Sequence, residues 1–519
     1  MKEQQEKYDL PEGWVWVTID DIGIVVSGGT PPTKNKEFWG GDISWITPAD
    51  LSNYNEKYIV RGSRNITQIG LDYSSAKLIS KGSILFSSRA PIGYVVIAKN
   101  DLSTSQGFKN LIPMSQIDSE YIYYYFSTLK FQAEKVASGT TFLELSAKNF
   151  SNLPLPLCTL NEQKLIVSQI ELIFSKLDEA ESGLKKTEKH LRIYKQALLK
   201  NAFAGKLTNK DLTADKLPID WRIVKVSDLS NVVRGGSPRP AGDSRYYEGN
   251  IPFLKVKDIT KDSKVHLTTF EYTIKEAGLI KTRKIKPKTL LLSNSGATLG
   301  IPKICMIDST INDGIAAFLD LDERSIYYLY YFFLLNTQKL RDISMGATQP
   351  NLNTTIIKNI ELPYCSFDEQ RQIVAIIESR FTLVDNLQKT VENVLNEIIA
   401  LKHSILKKAF EGRLVNYTSN ESVENLLKDI KEEKILYFEN QKELSRSKPK
   451  QKKQMEEKKS ILEILKESNS PISAQELWEK STSEGDIEQF YSEIKEIYYQ
   501  IDELKSKTES LLTLKDENK

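Results

Sequence analysis

Histidine is almost missing from this chain of 519 residues. There are three, His190, His266 and His403, and none has a partner at metal-ligand spacing. Cysteine is as scarce: Cys158, Cys305 and Cys365 are too few for a disulfide framework or a four-ligand zinc site, which points to a reducing cytoplasm. No run of about 18 apolar residues occurs, so no membrane span is expected. The opening stretch MKEQQEKYDLPEGW lacks the apolar core of a secretory signal. Nucleotide and methyl-donor signatures are missing too. There is no G-x-x-x-x-G-K-[ST] loop, no G-x-G-x-x-G fingerprint, and no Asn-Pro-Pro-aromatic or Asp-Pro-Pro-aromatic tetrapeptide. The GGTPPTK stretch from Gly28 reads as a tight turn. Charge of one sign is also lacking: 71 basic against 69 acidic residues leave +2, too little for a purely electrostatic nucleic-acid binder. The charge is segregated, however, and residues 281–288, KTRKIKPK, form a basic run.

What remains is an ordinary folded composition, 40% hydrophobic and 27% charged, at a length that calls for several units of about 150 residues. The chain repeats itself with a period of 207 residues. Leu10-Pro11-Glu12-Gly13-Trp14 returns as Leu217-Pro218-Ile219-Asp220-Trp221, and Val26-Ser27-Gly28-Gly29-Thr30-Pro31 as Val233-Arg234-Gly235-Gly236-Ser237-Pro238. Gly139-Thr140-Thr141 returns as Gly346-Ala347-Thr348, Leu155-Pro156-Leu157-Cys158 as Leu362-Pro363-Tyr364-Cys365, and Asn201-Ala202-Phe203 as Lys408-Ala409-Phe410. Residues 32–138 and 239–345 match poorly at this offset. One scaffold therefore occurs twice and carries two different recognition surfaces.

Each copy starts with short β-rich runs, such as Val15–Ile19, Ile43–Thr47, Ser83–Ser88 and Tyr94–Ala98, separated by Gly and Pro turns. A helical stretch follows. Positions 166, 170, 173, 177, 180, 184, 187, 191, 194 and 198 and their counterparts 207 residues on are apolar except at Thr187 and Arg380, a sustained heptad. The pattern predicts two helices of about 33 residues, roughly 50 Å each, stopped at Gly205 and Gly412. Two related units favour an antiparallel pair with a head at each end. Beyond residue 415 the repeat ends. Residues 441–459 read as a charged linker or exposed helix. Ser460–Lys466, a capping box at Ser473–Glu476, and the stripe Ile487, Phe490, Ile494, Ile497, Ile501 and Leu504 predict a small helical module. A docking element is favoured over a helix-turn-helix reader there.

Both variable regions mix basic residues with aromatic or polar ones. The first holds Lys34, Lys36, Arg61, Arg64, Arg89 and Lys109, with Tyr54, Tyr58 and Tyr73 between them. The second holds Arg234, Arg239, Arg245, Lys255, Lys257, Lys281, Arg283, Lys284 and Lys286. Any one of these reads as a solvated charge. As a set they suit DNA, arginine reading guanine and lysine anchoring phosphate.

In LPEGWVWVTIDDI, SGGTPPTKNKEFWGGDISWITPADL, SSRAPIG, SGTTFLELS, LPLPLCTLNEQKLIVSQIE, NAFAGKL and the second-copy ELPYCSFDEQRQIVAIIE, residues 10–415 resemble the specificity subunits of type I restriction–modification systems. The resemblance implies an α+β architecture of two α/β target-recognition heads (1–157 and 209–364) on two long antiparallel coiled-coil helices (158–208 and 365–415). Residues 416–519 add a charged linker and a helical extension. It implies a non-catalytic chain that reads a bipartite, asymmetric site in double-stranded DNA and binds two methyltransferase subunits and motor–nuclease subunits. S-adenosylmethionine, ATP and Mg2+ would serve those partners, with none bound directly here. Gly28, Gly29 and Thr30 join the basic residues as DNA-binding candidates. Glu162, Gln163, Phe203, Glu369, Gln370 and Phe410, alike in both copies, are the docking candidates, since two identical partners need two similar surfaces. An enzyme with unrecognised motifs and a ligand-free scaffold are the rival readings.

Overall fold

The computed structural model describes residues 8–139, 143–209, 216–296, 298–344, 351–416, 422–447, 459–468, 470–483, 487–505 and 510–515. Thr140 and Thr141 of the repeated Gly139-Thr140-Thr141 motif, its counterpart at 346–348, Ala297, and residues 448–458 of the charged stretch lie outside the described residues. The chain divides into two units, residues 1–430 and 431–519.

In the first unit the poorly matching middles fold alike. The first head holds a five-stranded sheet in the order Gly23–Ser27, Phe108–Pro113, Ile84–Ser88, Ile92–Ala98, Tyr58–Ile59. The second head repeats it as Asn231–Arg234, Ile315–Leu319, Thr289–Ser293, Pro302–Cys305, His266–Leu267. A four-stranded sheet, Arg64–Ile66, Trp39–Ile46, Leu102–Thr104, Leu78–Ile79, returns as Tyr272–Ile274, Tyr247–Leu254, Ser309–Ile311, Arg283–Ile285. Even the register irregularity is kept, between Trp39 and Ile43 and between Tyr247 and Ile251. The offset drifts to 208 at Trp39/Tyr247 and 205 at Ile84/Thr289, and returns to 207 at Leu102/Ser309. Turns of unequal length therefore hide the likeness from a comparison at one fixed offset.

Apolar positions survive where the sequence varies because burial holds them. Phe86, Phe126 and Phe150 pack ring to ring at 5.3–5.8 Å in the first head, and Phe318 meets Phe333 at 5.0 Å in the second. Burying each ring contributes roughly 1.5–3 kcal/mol. All three cysteines are buried free thiols. Burial pushes the Cys365 thiol up to about 12, far from a reactive thiolate.

The two long helices run Leu160–Phe203 and Phe367–Phe410, 44 residues each. They are longer than the heptad pattern predicts because the first turn already contains Glu162-Gln163 and Glu369-Gln370. They pair antiparallel: Lys402 bonds Asp178 and Glu181, and Lys195 bonds Asp385 and Gln388. Only one of the two heptad rows forms the seam. Val384, Val391, Ile398 and Ile405 are buried on the second helix, and on the first Leu177, Leu184 and Leu191 are half-buried and Leu198 is buried. The other row is buried at Ile166 and Ile373 and open further along, where Tyr194, Leu387 and Leu401 are 43, 45 and 47% exposed.

Both helices end in the same glycine stop. Lys206 donates its backbone N–H to Asn201, and Arg413 to Lys408, around Gly205 at φ +74° and Gly412 at φ +66°. A Cβ on Gly205 would sit 2.5 Å from Pro218, and one on Gly412 2.2 Å from Pro11. That close approach explains why the Leu-Pro motif and the helix-end glycine repeat together.

The second unit corrects the helical expectation. Helices Ile461–Glu467, Ala474–Lys480 and Ile487–Ile497 pack on a three-stranded sheet, Ile472–Ser473, Ser510–Leu514, Ile501–Lys505. The elements run helix–strand–helix–helix–strand–strand. Ser460 and Ser473 cap their helices as expected. The stripe breaks at Ile497, because Ile501 pairs with Leu514 as a strand. Helical spacing persists by coincidence across that junction.

Candidate nucleic-acid interface

The four-stranded sheet of each head carries a cation stacked on an aromatic ring. In the first head, the Arg64 guanidinium lies 3.6 Å from the Trp39 ring centroid and 5.6 Å from that of Trp45. Trp39, Gly40, Arg61, Gly62, Ser63, Arg64 and Asn65 line an open cleft of about 590 Å³. In the second head, Lys255 lies 3.3 Å from the Tyr272 ring, and Tyr272 occupies the strand position of Arg64. Arg245 and Lys281 flank Tyr246 at 5.4 and 5.0 Å. Flat rings beside fixed cations offer both stacking and phosphate contact.

Lys34 and Lys36 are exposed on the turn leading into Trp39. Arg283, Lys284 and Lys286 are exposed on and just past an edge strand. Arg234, Arg239, Arg245 and Lys257 are exposed but tethered. Arg234 donates to the Asp313 carbonyl, and Arg239 lies 3.7 Å from the Asp313 carboxylate. Arg245 forks onto Asp243, and Lys257 pairs with Glu271 at 2.8 Å. Those carboxylates hold the basic loops in place at small energetic gain.

Four DNA-binding candidates sit elsewhere than expected. A Cβ on Gly28 would fall 2.0 Å from the Ser105 carbonyl oxygen, and one on Gly29 2.2 Å from Ser75 backbone, so both glycines serve close chain packing. Trp45 donates to the Gly29 carbonyl at 2.9 Å, closing the turn that continues into Thr30. Lys109 is only 7% exposed within its strand. Burial pushes its ammonium below the usual value, against the pull of Glu144. Arg89 pairs with Glu144 at 3.4 Å. Tyr54 and Tyr58 belong with Lys57, Glu120 and Glu171 beside the first long helix. Trp39, Tyr246 and Tyr272, which the sequence reading passed over, supply the rings instead. The alternation of Trp39 and Trp45 with small residues in WGGDISWI was the available signal.

The six docking candidates do not form a free surface. Glu162 accepts from the Trp14 indole at 2.9 Å and Glu369 from Trp221 at 2.9 Å. Burial raises the Glu162 carboxyl above its ordinary range, the Trp14 bond opposing. Gln163 and Gln370 are fully buried and donate to the carbonyls of Cys158 and Cys365. Phe410 packs on Tyr121 and Tyr125 of the first head, and Phe203 on Tyr328 and Phe332 of the second. They repeat because each head is gripped by the start of its own helix and the end of the other. Among the described residues, no group of three His, Cys, Asp or Glu could hold a metal.

Two heads of one design on a shared helical pair, each with basic and aromatic residues on one sheet, define a class of DNA reader. The family model for the type I restriction modification DNA specificity domain matches residues 11–190 and again 218–397, and the chain belongs to that family. It is similar to the MjaIX specificity subunit of Methanocaldococcus jannaschii, 31% identical over 422 residues, 78% of this chain and 94% of that one. It is also similar to the EcoBI specificity subunit of Escherichia coli, 28% identical over 299 residues, 53% and 62% of the two chains. A solved structure titled for the assembly and conformational transition of the type I R-M system shares the fold at TM-score 0.64 and 22% identity, covering 78% of this chain and all of that one. The HsdS subunit from Thermoanaerobacter tengcongensis shares it at TM-score 0.52 and 21% identity, covering 79% and 99%. The chain is thus a DNA specificity subunit rather than an enzyme.

Proposed function

We propose that each head reads one part of a split, asymmetric site in double-stranded DNA while the helical pair sets the distance between the parts. The observation that carries this reading is two heads of identical topology with different basic and aromatic residues on matching strands. Arg61 and Arg64 serve in the first head. Lys255, Lys281, Arg283, Lys284 and Lys286 serve in the second.

Two modification subunits and the motor–nuclease subunits are the partners, and S-adenosylmethionine, ATP and Mg2+ are theirs. The open heptad row, with Tyr194 on one helix and its counterpart Leu401 on the other, gives two like apolar faces for two like subunits. No helix among the described residues is long and apolar enough to cross a membrane, and the cytoplasm, where DNA lies, is the proposed location.

Co-expression with a type I modification subunit, followed by methylome sequencing, tests the reading. A split methylated motif is expected, and exchanging residues 32–138 for another head should alter one half only. Change in both halves would defeat it.

A further inference from the structure

Three layers of ring and backbone hold the Arg64 guanidinium in place. The buried Trp45 indole donates to the Gly29 carbonyl at 2.9 Å. Trp39 meets Trp45 edge to face, ring centroids 5.0 Å apart at 82°, and donates its own indole N–H to the Pro32 carbonyl at 3.3 Å. Arg64 then lies over the Trp39 ring at 3.6 Å. The loop leading to Arg64 is pinned as well. Asp50 accepts from the Thr47 N–H and hydroxyl at 2.8 and 2.6 Å, and from the Ser63 N–H at 2.8 Å. A Cβ on Gly62 would fall 2.8 Å from the Trp45 carbonyl oxygen, so the loop lies directly against the strand.

Stacking occupies the face of a guanidinium and leaves its N–H edge for other partners. Arg64 is exposed on the wall of the open cleft, and among the described residues its side chain makes no ion pair and no hydrogen bond. Arg61, at the start of the same loop, is also exposed, without ion pair or ring contact among those residues. The second head differs at these very positions. Strands Tyr58–Ile59 and Arg64–Ile66 return as His266–Leu267 and Tyr272–Ile274 at one offset of 208, so the loop between them compares residue by residue. Thr269 stands for Arg61, Phe270 for Gly62, Glu271 for Ser63 and Tyr272 for Arg64. Across the cleft, Gly40 at φ +83° has Glu248 at φ +62° as its counterpart, so one turn carries a side chain in the second head and none in the first. A Cβ on Gly40 would meet only open space.

We infer that Arg64 is a specificity-determining residue of the first head and that its ligand is the major-groove edge of a guanine. The arginine fork offers two parallel donors, the complement of guanine O6 and N7. A guanidinium already stacked on a ring gives up less side-chain freedom on binding than a loose one, and its donors stand in one place before the base arrives. Arg61 has no ring to fix its plane and serves as a phosphate contact that positions the duplex. Gly40 and Gly62 leave room for the base edge. The second head has no arginine at either position and reads a different base. This rests on the DNA-reading role proposed above and adds the base and the residue.

The test is selection from a randomised duplex library by the full chain in complex with modification subunits, comparing wild type with Arg64→Lys, Arg64→Ala and Arg61→Ala. Lysine keeps the charge over the ring and loses the fork. Arg64→Lys and Arg64→Ala should each lose preference for guanine at one position of one half-site, by roughly tenfold or more, with the other half-site unchanged. Arg61→Ala should keep that preference and weaken binding to all sequences alike, lowering the salt slope of log K by about 1. An Arg64→Lys complex that still selects the same guanine would overturn the assignment and leave Arg64 as a cover over Trp39. Loss of the preference in Arg61→Ala alone would overturn it too. If Arg64→Ala fails to fold, Arg64→Lys decides by the same readout. A wild-type complex that selects no split sequence would defeat the DNA-reading role itself. A wild-type complex that selects one while both Arg64 variants keep it would defeat only this contact.

Discussion

Lys402 reaches Asp178 across the helix seam at 2.6 Å, and its counterpart 207 residues earlier, Lys195, reaches Asp385, the counterpart of Asp178. Duplication of sequence has thus become two-fold symmetry of contact. Each lysine is itself less than a third exposed, while its carboxylate is open to solvent. Reversal by Lys402→Glu should therefore cost only about 1 kcal/mol in urea unfolding, and Asp178→Lys in the same chain should restore most of it. Loss without recovery would mean that the cross-seam pair is not what the substitution disturbs.

Phe203 and Phe410 anchor helix ends to heads. Phe203→Ala or Phe410→Ala should each lower the stability of the isolated chain by roughly 3–5 kcal/mol, read as a lowered melting temperature. An unchanged melting point in either variant would contradict the packing on Tyr328 or Tyr121.

Lengthening both long helices by one heptad, after Leu184 and after Val391, keeps the seam in register. It should move the heads apart by about 10 Å at 1.5 Å per residue. DNA rises about 3.4 Å per base pair along one strand, so the methylated motif should gain roughly three unread base pairs while both halves stay the same.

Arg283 and Lys284 sit exposed on an edge strand, and no ion pair to a carboxylate is recorded for either among the described residues. Replacing either by Ala should weaken binding to all sequences alike and lower the salt slope of log K by about 1. A change in sequence preference without a change in slope would point to base contact instead.

The C-terminal module is acidic, which sets it against a phosphate backbone. Residues 459–519 hold eight lysines against fourteen acids, a net of −6, and the helix Ile487–Ile497 carries Glu488, Glu493 and Glu496 against Lys495. Removing residues 459–519 should leave DNA affinity and its salt slope unaltered in a filter-binding titration.

The duplication, the antiparallel helices and their glycine stops could be read directly, because heptads and turn residues are local signals. The likeness of the two middles could not. Gaps of one to three residues at turns broke the frame between Trp39 and Leu102. Among site residues, Arg64 and Lys255 were visible as charges, but their rings, Trp39 and Tyr272, come from neighbouring strands that only pairing brings together. Phe203 and Phe410 misled because repetition marks any surface used twice, including one turned inward.

The Tyr8 hydroxyl donates to the Phe410 carbonyl at 2.8 Å, and Pro11 lies against Gly412. The start of the first copy therefore meets the end of the second, as the start of the second meets the end of the first at Gly205 and Pro218. Topologically the duplicated region is a ring opened at one of two equivalent joints. A permuted chain that opens between Gly205 and Pro218, with a linker closing the other joint, should fold to the same object. Which half-site is encoded first in the gene then becomes a matter of where the ring was cut.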